Sequence, residues 1–208
     1  MPSSVERKIR ARLPAIRFLQ AYMPLAASRW LLRQGMARVR LAAAVTREAV
    51  SADGVSCERL TPKNSPADQV LLYLHGGGFV YGLTPLHLEM VAYLAQKMSI
   101  RALLVDYRVA PDHPFPAPLD DCVTAYRWLL KQGISARNIV VAGDSAGGNL
   151  TITLLMKLRD DGDPLPAAAA CLSPVTDLTN KDTRQQGFKD PLLPPTAVRF
   201  YNKACGTP

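Results

Sequence analysis

A serine between small residues sits at the centre of the stretch Ile139-Val140-Val141-Ala142-Gly143-Asp144-Ser145-Ala146-Gly147-Gly148-Asn149. The pattern Gly143-Asp144-Ser145-Ala146-Gly147 fits G-x-S-x-G, in which the serine rides on a sharp, strained strand-to-helix turn. The chemistry such a turn supports is nucleophilic attack by a hydroxyl. The helix that follows aims unpaired N–H groups and the positive end of its dipole at the same place, which favours an oxyanion there. Gly143 and Gly147 have a steric reason, because strand and helix pass so close that Cβ atoms two residues either side of the serine would collide. By itself the pentapeptide is also compatible with an ordinary glycine-rich turn.

A second constellation, His75-Gly76-Gly77-Gly78-Phe79, follows the apolar run Val70–Leu74 directly. Three successive glycines clear side chains from the loop, so that backbone N–H groups can approach a ligand oxygen closely. With the N–H of Ala146, N–H groups of this loop are candidate oxyanion donors. His75 and Gly76 read as supports of that loop. Asp144, next to the serine on a tight turn, reads as a structural hydrogen-bonding carboxylate.

The elements that would hold these groups can be read from periodicity. Residues 45–50 and 55–61 read as short strands joined by a turn at Ala52-Asp53-Gly54. The continuous apolar runs at 70–74, 102–106, 138–142 and 167–172 read as strands buried on both faces. Helical patterns lie between them at 86–98, 119–131 and 146–159. Residues 110–118 hold four prolines and are expected to be irregular. Alternating strands and helices at this spacing give a mostly parallel sheet with helices on both faces. Ligands of such sheets bind beyond the carboxyl ends of the strands, where both motifs lie.

Composition narrows the function classes. The 208 residues are 48% hydrophobic and 20% charged, as in a globular domain. No apolar run approaches the ~18 residues that a membrane span needs. The net charge of +8 is concentrated in residues 1–50, which hold ten Lys/Arg and only Glu6 and Glu48 as acids. The body carries no net charge, so nucleic acid is not an expected partner. Cys57, Cys122, Cys171 and Cys205 form no C-x-x-C pair, which argues against zinc and disulfide-exchange chemistry. Cys122 and Cys171 are expected to be buried thiols in a cytoplasmic setting. Residues 1–45 read as a helical segment packed as a cap on a core of 46–208. Val5, Ile9, Leu13 and Ile16 share one helical face, and Trp30, Leu31, Val39 and Leu41 lie within a second stretch, 28–44. A basic, acid-poor N-terminus also suits targeting or an anionic membrane surface.

Together with Asp106-Tyr107-Arg108-Val109-Ala110-Pro111-Asp112-His113-Pro114-Phe115-Pro116-Ala117 and Ser173-Pro174-Val175-Thr176-Asp177-Leu178, the two motifs resemble the hormone-sensitive-lipase-like branch of the α/β-hydrolase fold. The matching stretches spread over roughly residues 45 to 195. The resemblance implies carboxylic ester hydrolysis through an acyl-serine, on small or medium acyl esters. Ser145 would be the nucleophile, and Gly77, Gly78 and Ala146 the oxyanion donors. No metal or organic cofactor is implied. The Asp106–Ala117 stretch reads as a pinned loop rather than a second site.

The resemblance also exposes a gap. A serine nucleophile needs a base and an acid that orients it, and in this fold the order along the chain is Ser, Asp or Glu, then His. His75, His87 and His113 all precede Ser145, and none follows. Asp177 does not match the family's acid position, and residues 190–208 resemble its second cap segment. The expectation is a fragment of a hydrolase that lacks the last strands of the fold and acts weakly or not at all alone. Alternatives are a catalytically silent ligand-binding protein on the same fold, or a base supplied by a partner chain or another upstream residue.

Overall fold

The computed structural model describes residues 22–177 together with Ala11 and Pro14. Val5, Ile9, Leu13, Ile16, Cys205 and the 190–208 segment lie outside the described residues. Six strands form one sheet: β1 (Val45–Ala52), β2 (Val55–Pro62), β3 (Val70–Leu74), β4 (Arg101–Val105), β5 (Ile139–Asp144) and β6 (Ala168–Leu172). Their spatial order is β1-β2-β4-β3-β5-β6. β1 pairs with β2, and β2 with β4, in antiparallel fashion; β4, β3, β5 and β6 run parallel. The β1–β2 hairpin closes through Asp53-Gly54, both at positive φ (49° and 95°), as a two-residue loop matching the strand twist requires.

Helices cover both faces, as the alternating pattern predicts. All five residues of β3 are buried, and side chains alternate between two cores. Leu72 and Leu74 join Val141, Tyr126, Leu150 and Leu154 under α3 (Ala117–Lys131) and α4 (Ala146–Asp161). Leu71 and Tyr73 join Leu104, Leu88 and Val91 under α2 (Pro85–Met98). α2 starts with a capping box: the Thr84 hydroxyl accepts from the His87 N–H while the Thr84 N–H donates back to the His87 ring.

Three expectations need correction. The apolar run into Leu172 forms β6, but all five of its residues are exposed rather than buried. It pairs only with β5 among the described residues, and no described helix buries it. Cys171 is consequently exposed, whereas Cys122 is buried as expected. The proline-rich stretch is not wholly irregular either. α3 begins at Ala117, with Pro118 inside its first turn, where a missing N–H costs nothing.

The basic N-terminal stretch contributes α1 (Leu25–Arg38), which starts after Pro24 and buries none of its residues. Trp30 and Leu31 are exposed, while Met36, Val39 and Leu41 pack at the margin of the core under α2. No helix among the described residues is long and apolar enough to cross a membrane.

Candidate active site

Ser145 stands between the last residue of β5 and the first of α4, with φ 52° and ψ −116°. A non-glycine residue in that region is strained by roughly 1–3 kcal/mol and persists only where its surroundings enforce it. The surroundings do so with backbone bonds. The Ser145 N–H donates to the Leu172 carbonyl (2.9 Å), and the Ser145 carbonyl accepts from Asn149 (3.1 Å) and Val175 (3.2 Å). The Asn149 side chain donates to the Val175 carbonyl (2.7 Å), so the Ser173–Val175 stretch is fastened to the turn as well.

The steric argument for the flanking glycines is met directly. A Cβ at Gly147 would stand 2.0 Å from the Leu74 carbonyl oxygen and 2.5 Å from that of His75. One at Gly143 would stand 2.3 Å from the Gly147 carbonyl oxygen. α4 therefore starts in contact with the end of β3, and in the β3–β5 ladder Leu74 sits opposite Gly143. The glycine loop and the serine turn leave neighbouring strand ends side by side. The chain takes positive φ at Gly77 (130°), Gly78 (60°) and Phe79 (60°). Ala146, at the first position of α4, is fully buried.

Asp144 joins the two motifs. Its Oδ1 accepts from the Tyr73 hydroxyl and from the Gly76 N–H, each at 2.9 Å. Its Oδ2 faces His87 Nε2 at 3.6 Å. Burial pushes the Asp144 carboxyl up, but His87, Tyr73 and the Gly76 N–H outweigh it and hold its pKa below the ordinary value. Burial and the adjacent Asp144 carboxylate push the Tyr73 hydroxyl up, so it remains a donor. The structural reading of Asp144 thus acquires particular partners: the carboxylate fixes the first residue of the glycine loop against the residue before the serine.

His75 is fully buried and stacks on Tyr107, with ring centroids 4.0 Å apart and planes 5° from parallel. Its Nδ1 lies 2.8 Å from the Gly76 carbonyl. A carbonyl only accepts, so Nδ1 carries the proton and Nε2 is a bare acceptor. Nε2 has no hydrogen-bond partner among the described residues. Burial, helped by nearby His87, lowers the His75 pKa to about 3. The Tyr107 hydroxyl donates to the His75 carbonyl (2.5 Å). His75 is therefore built in as a neutral anchor of the loop.

Sequence reasoning did not single out His87. Its Nδ1 accepts the Thr84 N–H (3.3 Å), which turns a protonated Nε2 toward Asp144. The available signal was Thr84-Pro85-Leu86-His87, a capping box with His where Glu or Gln is usual. Arg108 and Asp121 form a bidentate pair that pins the proline-rich loop to α3. This agrees with reading that loop as support. Among the described residues no histidine nitrogen is hydrogen-bonded to the Ser145 hydroxyl.

Residues 71–207 match the family described as alpha/beta hydrolase fold. The chain is 46% identical over 110 residues to an acetyl-hydrolase of Streptomyces hygroscopicus, covering 53% of this chain and 37% of that protein. It is 38% identical over 166 residues to the esterase LipU of Mycobacterium tuberculosis, covering 77% of this chain and 56% of the relative. The chain thus spans between about a third and somewhat over half of these curated relatives. A solved structure of an esterase from the bacterial hormone-sensitive lipase (HSL) family superposes with a TM-score of 0.83 at 36% identity. That superposition covers 98% of this chain and 69% of the other.

Proposed function

The chain belongs to the alpha/beta hydrolase fold family, within its hormone-sensitive-lipase-like branch, and from that premise we propose that it carries the nucleophile and oxyanion half of a carboxylic ester hydrolase. The observation that carries this reading is the strained Ser145 at the start of α4, beside the Gly76–Gly78 loop that Asp144 ties to it. Ser145 Oγ attacks the ester carbonyl carbon and passes its proton to solvent water, which returns one to the departing alcohol oxygen. The carbonyl oxygen becomes an oxyanion stabilised by the N–H groups of Gly77, Gly78 and Ala146 and by the dipole of α4. Collapse expels the alcohol and leaves an acyl-serine, which water then hydrolyses. His75, Gly76, Gly143, Asp144 and Gly147 hold the geometry. Small or medium acyl esters are the substrate class, in keeping with relatives that are named acetyl-hydrolase and esterase.

Proton transfer is the missing part. His75 and His87 are committed to the Gly76 carbonyl, Thr84 and Asp144, and His113 precedes the serine too. Removing the base of a serine triad costs on the order of 10⁶ in kcat, while oxyanion donors and binding alone leave about 10³ to 10⁴ over water. The 208-residue chain is therefore expected to hydrolyse p-nitrophenyl acetate weakly and to label slowly with a fluorophosphonate, both lost in Ser145→Ala. Labelling elsewhere, or none in folded protein, would refute the nucleophile and favour a silent ligand-binding role.

Residues 1–45 are proposed to cap the acyl site, with peripheral contact to anionic membrane. The support is exposed Trp30 and Leu31 on α1 beside exposed Arg33 and Arg38. Salt-sensitive liposome binding that survives deletion of 1–45 would remove the membrane contact. A reducing, cytoplasmic setting is proposed from the cysteine pattern alone, four widely spaced residues with no C-x-x-C pair.

A further inference from the structure

One basic residue of α1 does not behave as part of a diffuse positive surface. The side chain of Arg29 is only 16% exposed, although α1 buries no residue completely. Its Nε donates to the Val80 carbonyl (2.8 Å), one terminal nitrogen to the Ala110 carbonyl, and the other meets the Asp112 carboxylate. These three acceptors belong to two loops. Val80 closes the glycine loop, where the N–H groups of Val80 and Tyr81 return to the Gly77 carbonyl (3.1 and 3.0 Å). Ala110 and Asp112 belong to the loop after β4. The two loops also meet where the Ala110 N–H donates to the Phe79 carbonyl (2.9 Å).

We propose that Arg29 is a positioning residue for the candidate oxyanion donors: the strut by which helix α1 holds residues 77–81 against the 110–112 loop. Only a planar guanidinium can serve this pattern, because its donors diverge in a fixed fork and reach two carbonyls and a carboxylate at once. Lysine would bring the charge without the fork. Elsewhere α1 is fixed near its C-terminal end, where Arg47 donates to the Met36 carbonyl (2.8 Å) and Gly35 lies against Pro85. Arg29 ties its N-terminal half to the body. Displacing α1 would then loosen Val80, and with it the turn that presents Gly77 and Gly78. Misplacement of catalytic groups by about 1 Å can cost on the order of 10² in rate.

This inference rests on the hydrolase reading, and the test separates the two. Wild-type, Arg29→Met and Arg29→Lys chains are compared by the second-order rate of fluorophosphonate labelling at Ser145. Amide hydrogen exchange across residues 77–81 is followed in the same proteins. Arg29→Met is expected to label about 10-fold more slowly or worse and to exchange faster across 77–81, with Arg29→Lys between it and wild type. A folded Arg29→Met with either readout unchanged overturns the proposal. If Arg29→Met does not fold, Arg29→Lys decides by the same two readouts. If wild type does not label at Ser145, the hydrolase reading fails, and loop exchange alone then decides whether Arg29 is the strut.

Discussion

Acid should destabilise this protein through one buried ring. His75 is fully buried and neutral, with a folded pKa of about 3 against an ordinary value near 6.5. Above pH ~6.5 the ring is neutral in both folded and unfolded chains and contributes no pH dependence. As pH falls below that value the unfolded chain takes up a proton that the folded chain refuses until about pH 3. Stability is therefore lost in that window, at up to ~1.4 kcal/mol per pH unit. Between pH 7 and pH 5 the loss from His75 alone is about 2 kcal/mol. For a domain of this size that lowers Tm by roughly 4–8 °C. His75→Phe keeps a flat ring on Tyr107, and His75→Asn keeps a donor for the Gly76 carbonyl; neither titrates. Both lose something at every pH, so the comparison is between slopes. Thermal melts at pH 7 and pH 5 should show a wild-type fall exceeding that of each variant by the stated amount. Parallel falls in all three proteins would mean that His75 is not held neutral, and the anchor argument would fail.

Two further outcomes follow from packing. Gly147→Ala places a methyl 2.0 Å from the Leu74 carbonyl oxygen, backbone that no side-chain rotation can relieve. A loss of about 3 kcal/mol or more is expected, visible as a Tm lower by roughly 6–12 °C; a melt within 2 °C of wild type would refute the close approach. Native-state alkylation at pH 8, mapped by mass spectrometry, should modify exposed Cys171 and spare Cys57 and Cys122 until the chain unfolds. Burial, with the Asp106 and Asp121 carboxylates, pushes the Cys57 thiol up to about 12, and burial raises Cys122 likewise, so neither offers thiolate. Rapid modification of either would contradict the burial of Cys57 on β2 and Cys122 on α3.

What the sequence disclosed follows the range of the forces involved. The strand Val70–Leu74, the turn at Ser145 and the hairpin at Asp53-Gly54 are set by neighbouring residues, and all three were legible. Whether an apolar strand is covered depends on elements far along the chain. Ala168–Leu172 has the composition of a buried strand but, among the described residues, lies at the sheet edge, exposed. The proline count at 110–118 signalled irregularity, yet proline suits a first helical turn, and local pattern does not say which proline will take it. The partners of Asp144, and the roles of His87 and Arg29, were hidden for a similar reason. Their partners lie 68, 57 and 51 residues away, at Gly76, Asp144 and Val80. The glycines around Ser145 announced a close approach; nothing local announced the polar cross-links that brace it.

The backbone angles at Ser145 have a consequence for anyone seeking a hardier form of this molecule. Glycine occupies φ 52°, ψ −116° more readily than any residue bearing a side chain. A library sorted by heat survival alone should drift toward glycine there and discard the hydroxyl, since fold robustness and chemistry make opposite demands on that one position. Stabilised derivatives are best sought with residue 145 held constant, and endurance gained elsewhere in the chain.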